Sequence, residues 1–362
     1  MQKQGLTTLA LQKFKKSFWG VFSFWFIVFL AFISVFAYVL APDDSQFANQ
    51  MHLSIHSKQP GFTVEMLVVP NTLTNDQSFF NRVFFGVKNP PSQIPISTHT
   101  AESHQIKYVE YASEGLEGLE KTIDIPLDTE ASLHPFVTQK TFYFGTDKYG
   151  RDLLSRILVG ARISFSIGFV AVFISLLIGI LLGSIAGYFG GKWDKLIMWV
   201  INVTWSIPTL LLVIAITLAL GKGFWQVFIA VGLTMWVEVA RIVRGQVMSV
   251  KEMQYVTAAR ALGFTDFRII LKHILPNILA PVIVISAANF AAAILIESGL
   301  SFLGIGAQPP MSSWGAMIKD HYNYIILGKP YLALIPGLCI MSLVMAFMLI
   351  GNSLRDALDV KS

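Results

Sequence analysis

The chain has 362 residues, of which 54% are hydrophobic and only 14% charged, with a mean hydropathy of +0.60. Soluble domains run closer to about 45–50% apolar and about 25% charged, so this balance excludes an ordinary water-soluble protein. The net charge of +5 does not point to nucleic acid, because Lys and Arg cluster beside apolar runs, as they do at the inner flanks of membrane proteins.

Residues 1–17 form a basic N-terminal segment with Lys13, Lys15 and Lys16 at its end. The apolar run Phe18–Leu40 follows and reads as a first transmembrane helix. A cleaved signal peptide is the alternative, but its apolar region is usually about 7–15 residues long. This run is longer, rich in Phe, and ends in Ala41-Pro42 without a small-x-small site, which favours an uncleaved anchor.

Residues 41–141 differ in kind. Fourteen of the 22 acidic residues lie between Asp43 and Asp152, and Pro60, Pro70, Pro90, Pro91, Pro95, Pro126 and Pro135 punctuate the segment. Phe62–Val69 and Ile106–Tyr111 read as short strands. The segment is expected to be a strand-bearing extramembrane insertion of α/β or irregular structure with loose ends, long enough to form a small domain, with packing onto the membrane part as the alternative. His52, His56, His99 and His104 form two loose pairs and read as polar surface residues rather than metal ligands.

Residues 142–362 read as a core with five further spans, at Ile163–Tyr188, Leu196–Leu220, Phe224–Met248, Asn277–Leu303 and Tyr331–Leu354. Asp152 onward is expected to be an interfacial helix whose Arg151, Arg156 and Arg162 snorkel to phosphates. Gly190–Lys195 and Gly221-Lys222-Gly223 read as polar turns, and Pro208 and Pro336 as kinks within spans. The fold class expected is therefore an all-α polytopic membrane protein with six transmembrane helices.

With the N-terminus inside, the inner segments hold 14 Lys and Arg, the short outer loops three, and the long segment 41–162 ten. Long translocated segments do not count in this rule, so both termini are expected to be cytoplasmic and the insertion outside.

The inner segment between the fourth and fifth spans carries Tyr255-Val-Thr-Ala258-Ala259-Arg260-Ala-Leu-Gly263 and Arg268-Ile-Ile-Leu-Lys-His273-Ile-Leu-Pro276. It reads as two short helices broken at Gly263, with Thr265 as an N-cap and Pro276 opening the next span. On the residues alone, an amphipathic connector facing lipid phosphates and a docking surface for a partner fit equally well. The spacing Ala258-Ala259-x3-Gly263, then Leu275-Pro276, resembles the "EAA" loop of bacterial ABC import permeases. The fuller motif is similar to the dipeptide/oligopeptide/nickel branch, with Thr257 where the general motif has Glu and His273 where it has an aliphatic residue. Gly145-Thr146-Asp147…Gly150-Arg151-Asp152 and Glu297-Ser-Gly299…Gly304-Ile-Gly306…Trp314-Gly315 resemble segments of the same subunits.

The resemblance implies a type I ABC importer permease fold and a bacterial inner-membrane subunit forming half of a peptide pathway. It implies as partners a homologous permease, two ABC ATPase subunits, an extracytoplasmic peptide-binding protein and the lipid bilayer, with ATP and Mg held by the ATPase. The cytoplasmic loop would couple to that ATPase. No Gly-x4-Gly-Lys-Ser/Thr loop occurs, so this chain is not its own ATPase and no cofactor is expected in it. Nickel or another solute is the alternative cargo. Glu297, with Ser301, is the candidate on the translocation path; a carboxylate hydrogen-bonded beside a protein-lined cavity is the blander reading. Glu238 is expected to pair with Arg241, three residues on. A secondary transporter would need charges near the bilayer midplane, and a membrane enzyme would need clustered catalytic groups; the pattern favours neither.

Overall fold

A computed structural model describes residues 6–69, 77–102, 105–112, 116–124, 136–221 and 223–358. Pro70, Pro126, Pro135, His104 and Lys222 lie outside the described residues, as do Lys3 and Lys361. The helices are α1 (Leu6–Lys16), α2 (Phe18–Val35), α3 (Ala37–Leu40), α4 (Phe79–Phe85), α5 (Leu153–Phe189), α6 (Gly191–Trp205), α7 (Thr209–Leu220), α8 (Phe224–Val250), α9 (Gln254–Ala261), α10 (Asp266–Ile269), α11 (Leu275–Phe302), α12 (Trp314–His321) and α13 (Tyr331–Leu358). Five strands, β1 (Phe62–Val69), β2 (Ser92–Glu102), β3 (Gln105–Glu110), β4 (Glu120–Asp124) and β5 (Val137–Phe142), make one antiparallel sheet in the order β4-β3-β2-β1-β5. The chain forms two compact units: residues 1–31, 164–308 and 338–362 in the first, residues 32–163 and 309–337 in the second.

Among the described residues, five helices are long and apolar enough to cross a membrane, or up to six if the bent pair α6–α7 counts as one span. The stretch expected as a single kinked span at 196–220 is thus two helices meeting at 92°. Ser206-Ile207-Pro208 separates them, and Ser206 Oγ donates to the Val203 carbonyl at 2.7 Å. Proline donates no hydrogen bond and its ring obstructs the preceding turn, while the serine hydroxyl competes for a helix carbonyl, so the break is a full turn rather than a kink. Nor are Lys192 to Lys195 a turn; they open α6 directly after Gly190 and Gly191, both at positive φ.

Glycines set how closely α5 approaches α8. Gly179, Gly183 and Gly187 lie on one stripe of α5, and a Cβ on each would come within 2.5 Å of Val239 Cβ, 2.5 Å of the Ala240 carbonyl and 2.8 Å of the Arg244 carbonyl. Gly232 of α8 answers the stripe against Ile174. Small residues at four-residue spacing let backbones touch, which is how helices gain contact where lipid tails are as apolar as leucine. Phe290 of α11 stacks on Phe347 of α13 at 4.0 Å, and the α5 position facing Phe290 is Gly168. On α2, Trp19, Phe22, Trp25 and Phe29 are exposed, whereas Ser23 is buried and a Cβ on Gly20 would lie 2.7 Å from Ser353 Cβ.

In the second unit, β1 alternates its side chains between two faces, as a strand must. Leu67 packs with Ile96, Ile106 and Tyr108 on one side, and Val64 and Met66 pack with Ile55 and Phe142 on the other. The segment expected to bear short strands thus holds a five-stranded sheet whose strand β1 is packed on both faces. The unit also extends past residues 41–141, because Gly145–Asp152 is woven into it. Asp147 accepts hydrogen bonds from the Tyr149 amide at 2.8 Å and from the Arg151 amide and Nε at 3.0 and 2.6 Å. Arg156 lies 3.6 Å from the same carboxylate. Thr146 Oγ1 donates to the Ile55 carbonyl, and Asp152 accepts from the Ser155 amide and hydroxyl. Gly150, at φ +74°, lies against the His52 carbonyl, where a Cβ would be 1.8 Å away.

The expected interfacial helix beginning at Asp152 is thus the first turn of one continuous 37-residue helix. Its arginines do not snorkel. Arg151 and Arg156 are only 4% and 3% exposed, held by Asp147, and Arg162 donates to the Val83 and Phe84 carbonyls over the Tyr38 ring. His52 is buried rather than at the surface; burial and nearby Lys140 push its pKa down to about 4, with Asp43 opposing. His99 sits 3.3 Å from Glu65.

Candidate functional site: the loop between α8 and α11

The loop builds its own small core. Val256 and Ala259 of α9, with Ile269 and Ile274, pack against Tyr188 of α5 and Val239, Val243 and Val247 of α8. Leu262 closes α9, and Gly263 follows in the left-handed region at φ +77°. The Phe264 amide reaches back to the Ala259 carbonyl at 3.2 Å, which turns the chain and satisfies an otherwise orphaned acceptor. A Cβ at Gly263 would meet nothing within 4 Å, so the requirement there is conformational rather than steric.

Polar contacts tie the loop down. Tyr188 Oη donates to Asp266 Oδ1 at 2.6 Å, and the Arg260 guanidinium lies 5.1 Å from the Tyr188 ring. Phe264 is sandwiched, with Arg268 4.3 Å from its ring centre and His273 stacked on it at 5.8 Å and 14°. Below the loop, Asp194 of α6 pairs with Arg244 of α8 through two hydrogen bonds of 2.5 and 2.7 Å.

The second helix of the loop is not short. It runs from Asp266 through a π-helical turn at Ile270–Ile274 into α11, 37 residues in all to Phe302. Pro276 accounts for the π turn: it has no amide hydrogen, and its ring crowds the preceding turn, so the ladder widens and the Leu275 amide bonds to the Ile270 carbonyl. Asn277 Nδ2 then donates to the His273 carbonyl at 2.6 Å, taking an acceptor the bulge leaves over. Thr265 occupies the N-cap position in extended conformation, without a side-chain capping bond.

Among the residues expected to couple, Tyr255, Ala258, Arg260, Gly263, Arg268 and Pro276 lie on the exposed side. His273 is half-buried beneath Phe264. Ala259 is 3% exposed and faces the loop's own core, so its small size serves internal packing rather than a partner's approach. Leu262 and Phe267, at 74% and 73% exposed, flank Gly263 as two unsupported apolar side chains. Sequence reasoning passed over both; the available signal was a pair of large apolar residues on either side of a left-handed glycine, where a solvated turn would carry polar ones.

Glu297 and Ser301, expected on the translocation path, are each 1% exposed. Ser301 Oγ donates to Glu297 Oε1 at 2.7 Å and accepts from the Ala307 amide at 3.0 Å. The pair thereby fastens the turn after α11 to the helix end, one turn back. The expected Glu238–Arg241 pair is also not made: Arg241 donates to Asn202 Oδ1 at 3.2 Å and covers the Trp205 ring at 3.6 Å.

The description "binding-protein-dependent transport system inner membrane component" matches residues 179–361, and "N-terminal TM domain of oligopeptide transport permease C" matches residues 5–60. The glutathione transport system permease protein GsiD of Shigella sonnei is 43% identical over 219 residues, 60% of this chain and 72% of that one. The dipeptide transport system permease protein DppC of Alkalihalophilus pseudofirmus is 44% identical over the same shares. A solved inward-facing MetNI methionine ABC transporter aligns with 56% of this chain and 95% of its own at 18% identity and a TM-score of 0.47. With a match over half its length and such identity across most of two named permeases, the chain belongs to the family of binding-protein-dependent transport system inner membrane components.

Proposed function

We propose that the chain is one permease half of an ATP-driven peptide importer in a bacterial plasma membrane. It pairs with a homologous permease, two ATPase subunits that hold ATP and Mg, and a peptide-binding protein outside. Both termini and the loop at 251–276 face the cytoplasm, and the sheet-bearing unit faces outward. The chain itself carries out no covalent chemistry. The observation that carries this reading is the exposed apolar face at Leu262 and Phe267 around Gly263, mounted on a core that fixes its shape. Because α10, the π turn and α11 form one helix, a displacement of the loop is passed directly to a membrane span. Rigid-body gating of this kind needs such a stiff connection. Peptides are the preferred cargo because the similar permeases are named for glutathione and dipeptides.

The test is reconstitution of the whole complex in vesicles. Labelled glutathione and a labelled dipeptide are offered with the binding protein outside and ATP on the loop side. ATP-dependent accumulation of either supports the reading; accumulation that needs neither ATP nor the binding protein contradicts it.

A further inference from the structure

Glu238 is left over by everything described so far. It lies in the inner half of α8 (Phe224–Val250), one helical turn before Arg241 and about 18 Å from the Val250 end at 1.5 Å per residue. Its side chain is exposed. Among the described residues no hydrogen bond or ion pair engages it, since Arg241 is taken up by Asn202 and Trp205. A carboxylate within a span is expensive when it faces acyl chains, so such groups face water or protein. Here it lines a cavity of about 190 Å³ within the first unit, at the 92° bend between α6 and α7.

Glu238 carries the one formal charge among the residues that line this cavity, and Thr204, Trp205, Thr209 and Thr234 are its other polar side chains. Thr204 and Thr234 border the cavity with Glu238, and each spends its only hydroxyl proton on its own helix, on the Val200 and Val231 carbonyls at 2.9 and 2.8 Å. Their oxygens are left as acceptors. A carboxylate and two acceptor hydroxyls suit a group with several N–H donors and a positive charge, and repel an anion. Ile207, Leu212, Met235 and Ile296 supply apolar walls for the remainder of a ligand.

We infer that Glu238 is a cargo-contacting carboxylate on the translocation path, where it receives the ammonium terminus of a peptide at the α6–α7 bend. This rests on the peptide reading above.

The experiment uses the full reconstituted complex and has two arms. In the first, Glu238→Cys is placed in a Cys339→Ser chain, which leaves this chain one thiol, and a water-soluble methanethiosulfonate reagent is applied in nucleotide-free and ATP-bound states. The expected result is modification in at least one state, slowed at least about tenfold by saturating trialanine with its binding protein. A thiol that no state exposes, or one modified equally fast with trialanine passing, overturns the inference. In the second arm, uptake of labelled trialanine is measured. Glu238→Gln is expected to lower it at least about tenfold, and Glu238→Asp to keep it within about threefold of wild type. Uptake by Glu238→Gln within about twofold of wild type overturns the inference, as does equal loss in both variants. Absence of ATP-driven uptake in the wild type faults the peptide reading instead; reagent access to residue 238 without peptide then still decides whether an aqueous path reaches it.

Discussion

Replacing Leu262 and Phe267 together by Asp removes the ATPase partner from the purified complex and leaves the permease folded. Both side chains are about three-quarters exposed, so their loss costs the fold little, within about 0.5 kcal/mol for an ordinary surface position. On the proposed docking they would be buried anchors, and such anchors are worth about 2 kcal/mol or more each. The pair should therefore weaken docking about a thousandfold or more, read as loss of co-purifying ATPase at an unchanged melting temperature. Ala259→Glu would also abolish docking, but for another reason. It drives a charge into the core formed with Val256 and Ile269, and so collapses the loop itself. Gly263→Val lies between the two: the left-handed backbone resists a branched side chain by about 1–2 kcal/mol, and the turn that presents Leu262 loosens.

Asp147→Ala should unfold the second unit. The carboxylate is fully buried and is the acceptor for two amides and the Arg151 guanidinium, with Arg156 beside it. Removing it leaves two buried guanidinium groups beside each other without the carboxylate they share. Breaking a buried pair in this way costs about 3–5 kcal/mol, a large part of a typical domain's stability. The measurement is thermal unfolding with limited proteolysis of the detergent-purified protein, where cleavage concentrates in residues 41–152. Arg82→Ala is the comparison. Its pair with Asp44 is 2.6 Å long but more than half exposed on the arginine side, so the expected cost is below about 1 kcal/mol and the cleavage pattern stays that of wild type.

These two contrasts show which parts of the molecule could be read from its residues. Hydropathy located the five helices long enough to span and the stretch that holds the bent pair, because the length of an apolar run is a direct measure of what can cross about 30 Å of hydrocarbon. It did not report direction. The run 196–220 has the composition of a single span and turns through 92° in its middle, since Pro208 and the hydroxyl of Ser206 act together on the backbone there. Charge gave less than length. Arg151 and Arg156 beside an apolar run look the same whether they reach phosphates or bury themselves, and what decides is Asp147, held close by the turn at Gly145–Gly150 rather than by helical spacing. The strands at 62–69 and 105–110 were legible from short apolar runs; their three partners were not, because Ser92–Glu102, Glu120–Asp124 and Val137–Phe142 carry too many polar residues to stand out. In the loop, the small residues and Gly263 marked the place, but the direction of Ala259 followed from its packing against Tyr188 and Val247, which no local pattern encodes.

The coupling of this chain to an ATPase through the loop is tested most directly by cross-linking. Ala258 is exposed on α9, so Ala258→Cys in a Cys339→Ser chain places one thiol on the candidate surface. A benzophenone maleimide coupled to this thiol and photoactivated in the assembled complex is predicted to join this chain to the ATPase and to leave the binding protein unlinked. Linkage to the binding protein, or no linkage to the ATPase in any nucleotide state, contradicts the account.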